Sequence, residues 1–343
     1  MNAHAPITPT VRAADPSDAA AEAFARAHPD ATPFHLPQWS RAIAAGTGQQ
    51  AHLLIAEQGG AVRGVLPLTE LRSPLFGTAL VSAGFGVDGG ILADDESVVA
   101  ALATEAVRLS ERLDCPSIEL RGGPAPEGWN VGEGLYAGFA RDLPVDDEAI
   151  LKAIPRKQRA EVRRALGFGL DVAIDRDLDA HYRAYSESVR NLGTPVFPRA
   201  LFAAVLAEFG DDADILTVGK DGEVLASVLS LYWRGTVYPF WGGGTRTARA
   251  SRANELMYYE LMRHAAARGC ARFDFGRSKV GTGAFAFKKN WGFEPKPLAY
   301  AHWGEKREVN PLNPKYRLQI ALWQRLPLWL ANRIGPHLAR GLG

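Results

Sequence analysis

Three stretches in the second half of the sequence hold residue types suited to an activated, anionic substrate. The stretch Pro155 to Arg164 carries Arg156, Lys157, Arg159, Arg163 and Arg164 against the single acid Glu161. Pro155 suits the first position of a helix, and on that helix Arg156, Arg159 and Arg163 share one face. Such a face can grip phosphate through charge-assisted hydrogen bonds, or it can be an ordinary solvated surface. The stretch Gly242 to Arg252 sets three glycines, then Arg246, Arg249 and Arg252, ahead of a helix beginning near Asn254. Free N–H groups and partial positive charge at a helix start favour an anion. Arg246, Arg249, Arg252 and Asn254 are therefore the expected cofactor-binding set.

The third stretch runs from Arg272 through Phe273-Asp274-Phe275-Gly276-Arg277 and Gly281-Thr282-Gly283 to Phe287-Lys288-Lys289-Asn290. Ligands of open α/β sheets gather outside strand C-termini, and the glycines let backbone approach a ligand closely. A lysine among Phe285, Phe287 and Trp291 could offset charge that develops on a carbonyl oxygen in a partly dry site. Asp274, by position, is the candidate for orienting or deprotonating an acceptor. Arg156, Lys157, Arg159, Tyr238, Trp241 and Arg277 make up the expected substrate-binding set.

Other chemistries find little support. The eight histidines show no metal-ligand spacing, so no metal is expected. No Gly-x-Ser-x-Gly elbow and no Walker motif occurs. Gly84-x-Gly86-x-x-Gly89 matches the dinucleotide fingerprint in letters, but Asp94-Asp95 separates it from the next helix. The two cysteines, Cys115 and Cys270, are too few for a disulfide framework and fit a reducing compartment. A net charge of +1 argues against a dedicated nucleic-acid binder. Met1 to Asp15 lacks the apolar core of a signal peptide, and the expected location is the cytoplasm.

The elements that must position these stretches read as a repeat. His52–Ala56 and Ala61–Leu71 form a predicted hairpin around Gly59-Gly60; a glycine-rich run, a helix over Glu96–Leu113 and a strand at Ser117–Leu120 follow. The second half repeats that order: strands over Asp214–Val218, Glu223–Trp233 and Thr236–Trp241, three glycines, a helix over Asn254–Arg268 and a strand at Ala271–Phe275. The fold class expected is α/β (α+β), two tandem units over residues 1–145 and 146–308. Residues 309–343 form a basic amphipathic helical tail with five basic residues, no acid and a break at Pro327. Its Leu318, Leu322, Trp323, Leu326, Trp329, Leu330 and Ile334 could dock on the protein or on an inner-membrane surface.

Pro155-Arg156-Lys157-Gln158-Arg159, the strand end Phe273-Asp274-Phe275-Gly276 and Phe287-Lys288-x-x-x-Gly292 together resemble the FemAB-like acyltransferases, including their BioF2-like acetyltransferase relatives. Within that family the sequence is most similar to the FemAB-related proteins of exopolysaccharide and PEP-CTERM/exosortase loci. The resemblance implies two tandem GNAT-like acyltransferase domains. It implies transfer of an acyl or aminoacyl group to an amine or hydroxyl, in cell-envelope or exopolysaccharide biosynthesis, with aminoacyl-tRNA-dependent transfer to a peptidoglycan precursor as the alternative. Lys288 would stabilise the tetrahedral oxyanion, and Arg156, Lys157 and Arg159 would meet phosphates of a nucleotide- or lipid-linked saccharide substrate. No tightly bound cofactor is implied; the donor is acyl-CoA or aminoacyl-tRNA. The charged helical-hairpin insertion of some tRNA-using members is absent, which disfavours tRNA. Gly242–Arg252 also lacks the pyrophosphate-loop pattern of ordinary acetyltransferases, which counts against acetyl-CoA. A non-catalytic scaffold of a polysaccharide assembly system is the reading from another class.

Overall fold

A computed structural model of the chain describes residues 8–305 and 317–343. It divides into two compact units. The first comprises residues up to Glu133 together with Ala299–Val309 and Arg340–Gly343; the second comprises Gly134–Leu298 and Asn310–Ala339. The 309–316 part of the expected tail lies outside the described residues.

The first unit runs β1 (Thr10–Ala14), α1 (Ala19–Ala27), α2 (Pro37–Thr47), β2 (Gln50–Gln58), β3 (Ala61–Ser73) and β4 (Gly77–Ser82). It continues with β5 (Leu92–Ala93), α3 (Glu96–Arg112), β6 (Ser117–Arg121) and β7 (Asn130–Gly132). The second unit opens with β8 (Tyr136–Asp142), α4 (Asp147–Ala153), α5 (Arg156–Leu166), β9 (Asp171–Asp175), α6 (Leu178–Leu192) and α7 (Arg199–Phe209). Then come β10 (Ala213–Lys220), β11 (Glu223–Trp233), β12 (Thr236–Gly244), α8 (Ala248–Ser251), α9 (Ala253–Ala267) and β13 (Arg272–Lys279). Last are α10 (Gly283–Asn290), β14 (Lys296–Pro297), β15 (Tyr300–Gly304), α11 (Arg317–Arg325) and α12 (Leu328–Ala339).

One sheet has the order β1-β2-β3-β4-β6-β15-β7, with β5 pairing β3; the other has β14-β8-β13-β12-β11-β10-β9. Read from β9, the second repeats the first: an antiparallel run of four strands, a helical crossover to a parallel neighbour, then two antiparallel strands. The predicted duplication is therefore present in the pairing itself. The crossover helices bury their apolar stripes on these sheets. Val98, Leu102 and Ala106 of α3 join one core, and Leu256, Met257, Leu261 and Ala265 of α9 join the other. Asp95 starts α3 by accepting from Val98 N at 3.0 Å.

The unit boundary differs from the expected residue 145. Tyr136–Asp142 belongs to the second sheet, where it pairs with β13 from Lys279↔Tyr136 to Arg272↔Asp142. β15 belongs to the first sheet, paired on one side with β6 and on the other with β7. Thus β7–β8 and β14–β15 are each consecutive in sequence yet divided between the two sheets. Charge and Pro144 mark a local break, whereas a strand's membership is decided by which backbone edge satisfies its N–H and C=O groups. Among the described residues no helix is long and apolar enough to cross a membrane.

Candidate functional site

β12 and β13 are parallel but pair only at Thr236↔Arg272 and Val237↔Phe273. Beyond that point they part, β12 staying on β11 to Gly244 and β13 on β8 to Lys279. The parting coincides with a bulge in β13, where Phe275 and Gly276 stand opposite Phe139 alone. Gly276 takes φ +65°, a conformation that favours glycine, and its N–H donates to Asp274 Oδ1 at 2.7 Å. Asp274 thus holds the bulge that the sequence encodes as Asp-Phe-Gly. Burial pushes its carboxyl above the usual range, against the opposing effects of the Gly276 N–H, Arg272 and Lys288.

The bulge turns three carbonyls toward α10. Lys288 Nζ donates to Phe275 O at 2.7 Å, Arg277 O at 2.8 Å and Gly276 O at 3.3 Å. Its amine also lies 5.4 Å from the Phe139 ring centroid and 5.8 Å from that of Phe275. Burial pushes this amine down to about 7, with Asp274 opposing and Arg277 adding to the shift; the three carbonyls favour the protonated form. Thr282 positions the helix, accepting from Phe285 N at 3.3 Å. A resting Lys288 therefore uses all three ammonium protons on backbone.

Tyr258 escapes the sequence reading. Its ring packs 4.8 Å from Phe275 and 5.6 Å from Phe287. A Cβ placed on Gly242 would meet its hydroxyl at 3.0 Å, so this side chain reaches from α9 toward both parted strands. Burial pushes the phenol up to about 12. The available signal was the helix period: Tyr258 follows Asn254 by four residues, and both face the glycine end of β12. Gly243 is required sterically, because a Cβ there would lie 2.5 Å from Ser188 Cβ, and one on Gly244 would crowd the Asn254 amide.

Beside this region a cavity of about 430 Å³ is lined by Pro155, Lys157, Gln158, Glu161, Arg252, Glu255, Lys289 and Asn290. It gathers members of all three sequence stretches. Gln158 Nε2 is buried there without a hydrogen-bond partner. Arg252, at φ +57°, caps α9 without a side-chain cap bond and pairs with Glu161 at 2.6 Å. Arg141 staples the surround by donating from Nη1 to Ala153 O and Trp291 O, both at 3.2 Å.

The expected sets are redistributed. Lys157 lines the cavity, whereas Arg156 is exposed and neither it nor Arg159 is among the lining residues. Glu161 and Gln158, overlooked in the sequence, point into it instead. Arg246 and Arg249 are exposed, and Arg252 is already neutralised by Glu161. Trp241, expected as a substrate contact, is 4% exposed and packs on Phe202 at 5.1 Å. Tyr238 is half-buried on β12, and the Arg277 guanidinium lies over the Tyr136 ring at 4.9 Å. Among the described residues no cluster of three His, Cys, Asp or Glu could hold a metal ion.

Residues 152–289 match the acetyltransferase (GNAT) domain family. No curated protein sequence matches the chain. The structure is similar to that of FemX, with a TM-score of 0.65 and 17% identity over 87% of this chain and 97% of that one. It is also similar to a tandem GNAT protein from the clavulanic acid biosynthesis pathway, with a TM-score of 0.56 and 14% identity over 88% and 100% of the two chains. L-PGS from Bacillus licheniformis gives a TM-score of 0.52 and 13% identity over 93% and 98%. At these identities the likeness establishes the fold, a tandem GNAT-like arrangement.

Proposed function

We propose that this chain, whose residues 152–289 match the acetyltransferase (GNAT) domain family and whose fold is similar to that of FemX, moves an acyl or aminoacyl group onto an amine or hydroxyl acceptor at the β12–β13 opening. The observation that carries the reading is the parting of two parallel strands beside a buried lysine amine. Parted strands leave backbone groups free to hold an extended acyl donor. Lys157 and Lys289 of the cavity supply cationic groups for the phosphates of its carrier. Acyl-CoA fits as a substrate that comes and goes, and aminoacyl-tRNA is the second donor.

In the proposed step the acceptor's nitrogen or oxygen attacks the donor carbonyl carbon and forms a tetrahedral oxyanion. The carbon–sulfur or carbon–oxygen bond of the carrier then breaks, and the acceptor's proton passes to a nearby base or to the leaving group. Lys288 is the oxyanion donor in this proposal. Its 3.3 Å contact to Gly276 O is the longest of three and the easiest to exchange, because a charged oxygen accepts more strongly than a neutral carbonyl. Asp274 fixes the bulge, and its raised pKa suits it to receive the acceptor's proton. Resemblance to the FemAB-related proteins supports a saccharide- or lipid-linked acceptor of envelope or exopolysaccharide assembly.

A thermal-shift series with acyl-CoAs, nucleotide sugars and charged tRNA tests the reading, since binding to the native state raises apparent stability. Stabilisation by an acyl-CoA that weakens in Lys289→Ala supports it. Stabilisation only by charged tRNA moves the donor to the aminoacyl class, and no shift with any donor overturns it.

A further inference from the structure

The described part of the tail docks on α6 in an unusual sense. Trp323 Nε1 donates to Thr194 O, and Gln324 Nε2 to Asn191 O, each at 3.1 Å. Arg190 Nη1 donates to Leu326 O at 3.2 Å, and Asn332 Nδ2 to Ser186 Oγ at 3.1 Å. Buried Ala331 and Gly335 let α12 sit close to the protein, with Gly335 against Val196. The inward face mixes these polar and small contacts with half-buried apolar residues, Ile320 against Gly193 among them. Three large apolar side chains nevertheless point outward: Leu318 is 71% exposed, Leu322 57% and Trp329 68%.

The usual amphipathic helix keeps its outer face polar, whereas here that face carries large apolar side chains as well. Leu318, Leu322 and Arg325 follow at i, i+4 and i+7 on α11, and Trp329 and Arg333 at i and i+4 on α12. Leu192, 64% exposed, ends α6 beside this face, since Gly193 lies against Ile320 and Gln324. Arg317, Arg325 and Arg333 are exposed, and no acidic residue occurs between Val309 and Gly343. Leucine to enter the acyl boundary, tryptophan for the interface and arginine for anionic headgroups form a complementary set.

We propose that the outer face of α11 and α12, carried by Leu318, Leu322, Trp329 and their arginines, seats the protein on an anionic lipid surface. The seat is peripheral and independent of the acyl donor. A second copy of the chain would also bury the leucines, but it would set an all-basic face against itself.

The test is sedimentation of the full-length protein with vesicles of phosphatidylcholine alone and with about 30% phosphatidylglycerol. Expected is at least about ten-fold tighter binding to the anionic vesicles, weakened by salt. Leu318→Ser/Leu322→Ser/Trp329→Ser should lose about ten-fold or more of that binding with its circular dichroism and thermal midpoint unchanged. Arg317→Gln/Arg325→Gln/Arg333→Gln should remove the preference for anionic lipid. These residues are exposed, so the variants should fold; single Trp329→Ser is the fallback and should still weaken binding. Absence of vesicle binding by the unaltered protein overturns the proposal. So does equal binding by a folded apolar variant, or a dimer in solution that the apolar variant turns into monomer.

Discussion

Lys288 Nζ lies 2.7 Å from the carbonyl oxygen of Phe275, the first residue of the β13 bulge. This contact ties the helix that follows the opening to the strand that forms one wall of it. One side chain therefore sets local backbone shape and places a positive charge at the proposed reaction centre.

Lys288→Ala is expected to lower kcat by about 10²–10³-fold, the usual cost of losing an oxyanion donor. It should also lower stability by about 1–3 kcal/mol, because buried carbonyls lose their partner. Steady-state kinetics with a thermal melt separate the two effects. A folded variant with unchanged turnover would remove Lys288 from the mechanism.

The cavity residues should act on donor binding. Lys157→Ala and Lys289→Ala are each expected to raise the donor KM several-fold, on the order of 1 kcal/mol, with kcat nearly constant. Glu161→Gln should do the reverse, because it frees Arg252 from its 2.6 Å ion pair. A fall in donor affinity in Glu161→Gln would argue against an anion in this cavity.

Acid stability should track two buried histidines. Burial lowers the pKa of His181 to about 3 and of His35 to about 4, from an ordinary 6.5. In the window from there up to 6.5 the unfolded chain binds more protons than the folded one. Stability therefore rises with pH through that window and is lost as pH falls. Denaturant melts between pH 4 and 7 should show this slope, and His181→Gln should flatten it. A slope left unchanged would assign acid lability to other groups.

The first unit should not fold from residues 1–133 alone. β15 stands between β6 and β7 and places Ala301, 5% exposed, in that unit's core. Without it β6 loses an antiparallel partner and β7 loses its ladder. The fragment is expected to give circular dichroism without a cooperative melt; a sharp transition would show that β15 is dispensable.

The sequence by itself determined the local elements and their order. The hairpin turn at Gly59-Gly60 and the apolar period of α3 put those elements within a residue or two of their observed ends; β11 matches at Glu223–Trp233. Turn chemistry and helical period act over a few residues, so composition alone can carry them. Only the tertiary structure decided which sheet takes β8 and β15, because strand membership depends on edges far away in sequence. It also decided that Arg252 pairs with Glu161 and that Trp241 packs in the core. Phe287-Lys288 stands out in the sequence as a candidate because a lysine among aromatics is uncommon chemistry. Its three carbonyl partners were not, since a bulge 11 to 13 residues earlier creates them. The tail shows the same division: its amphipathic pattern is written in the sequence. Which face turns outward was settled by the hydrogen bonds of Trp323 and Asn332 to α6 and the residues just after it.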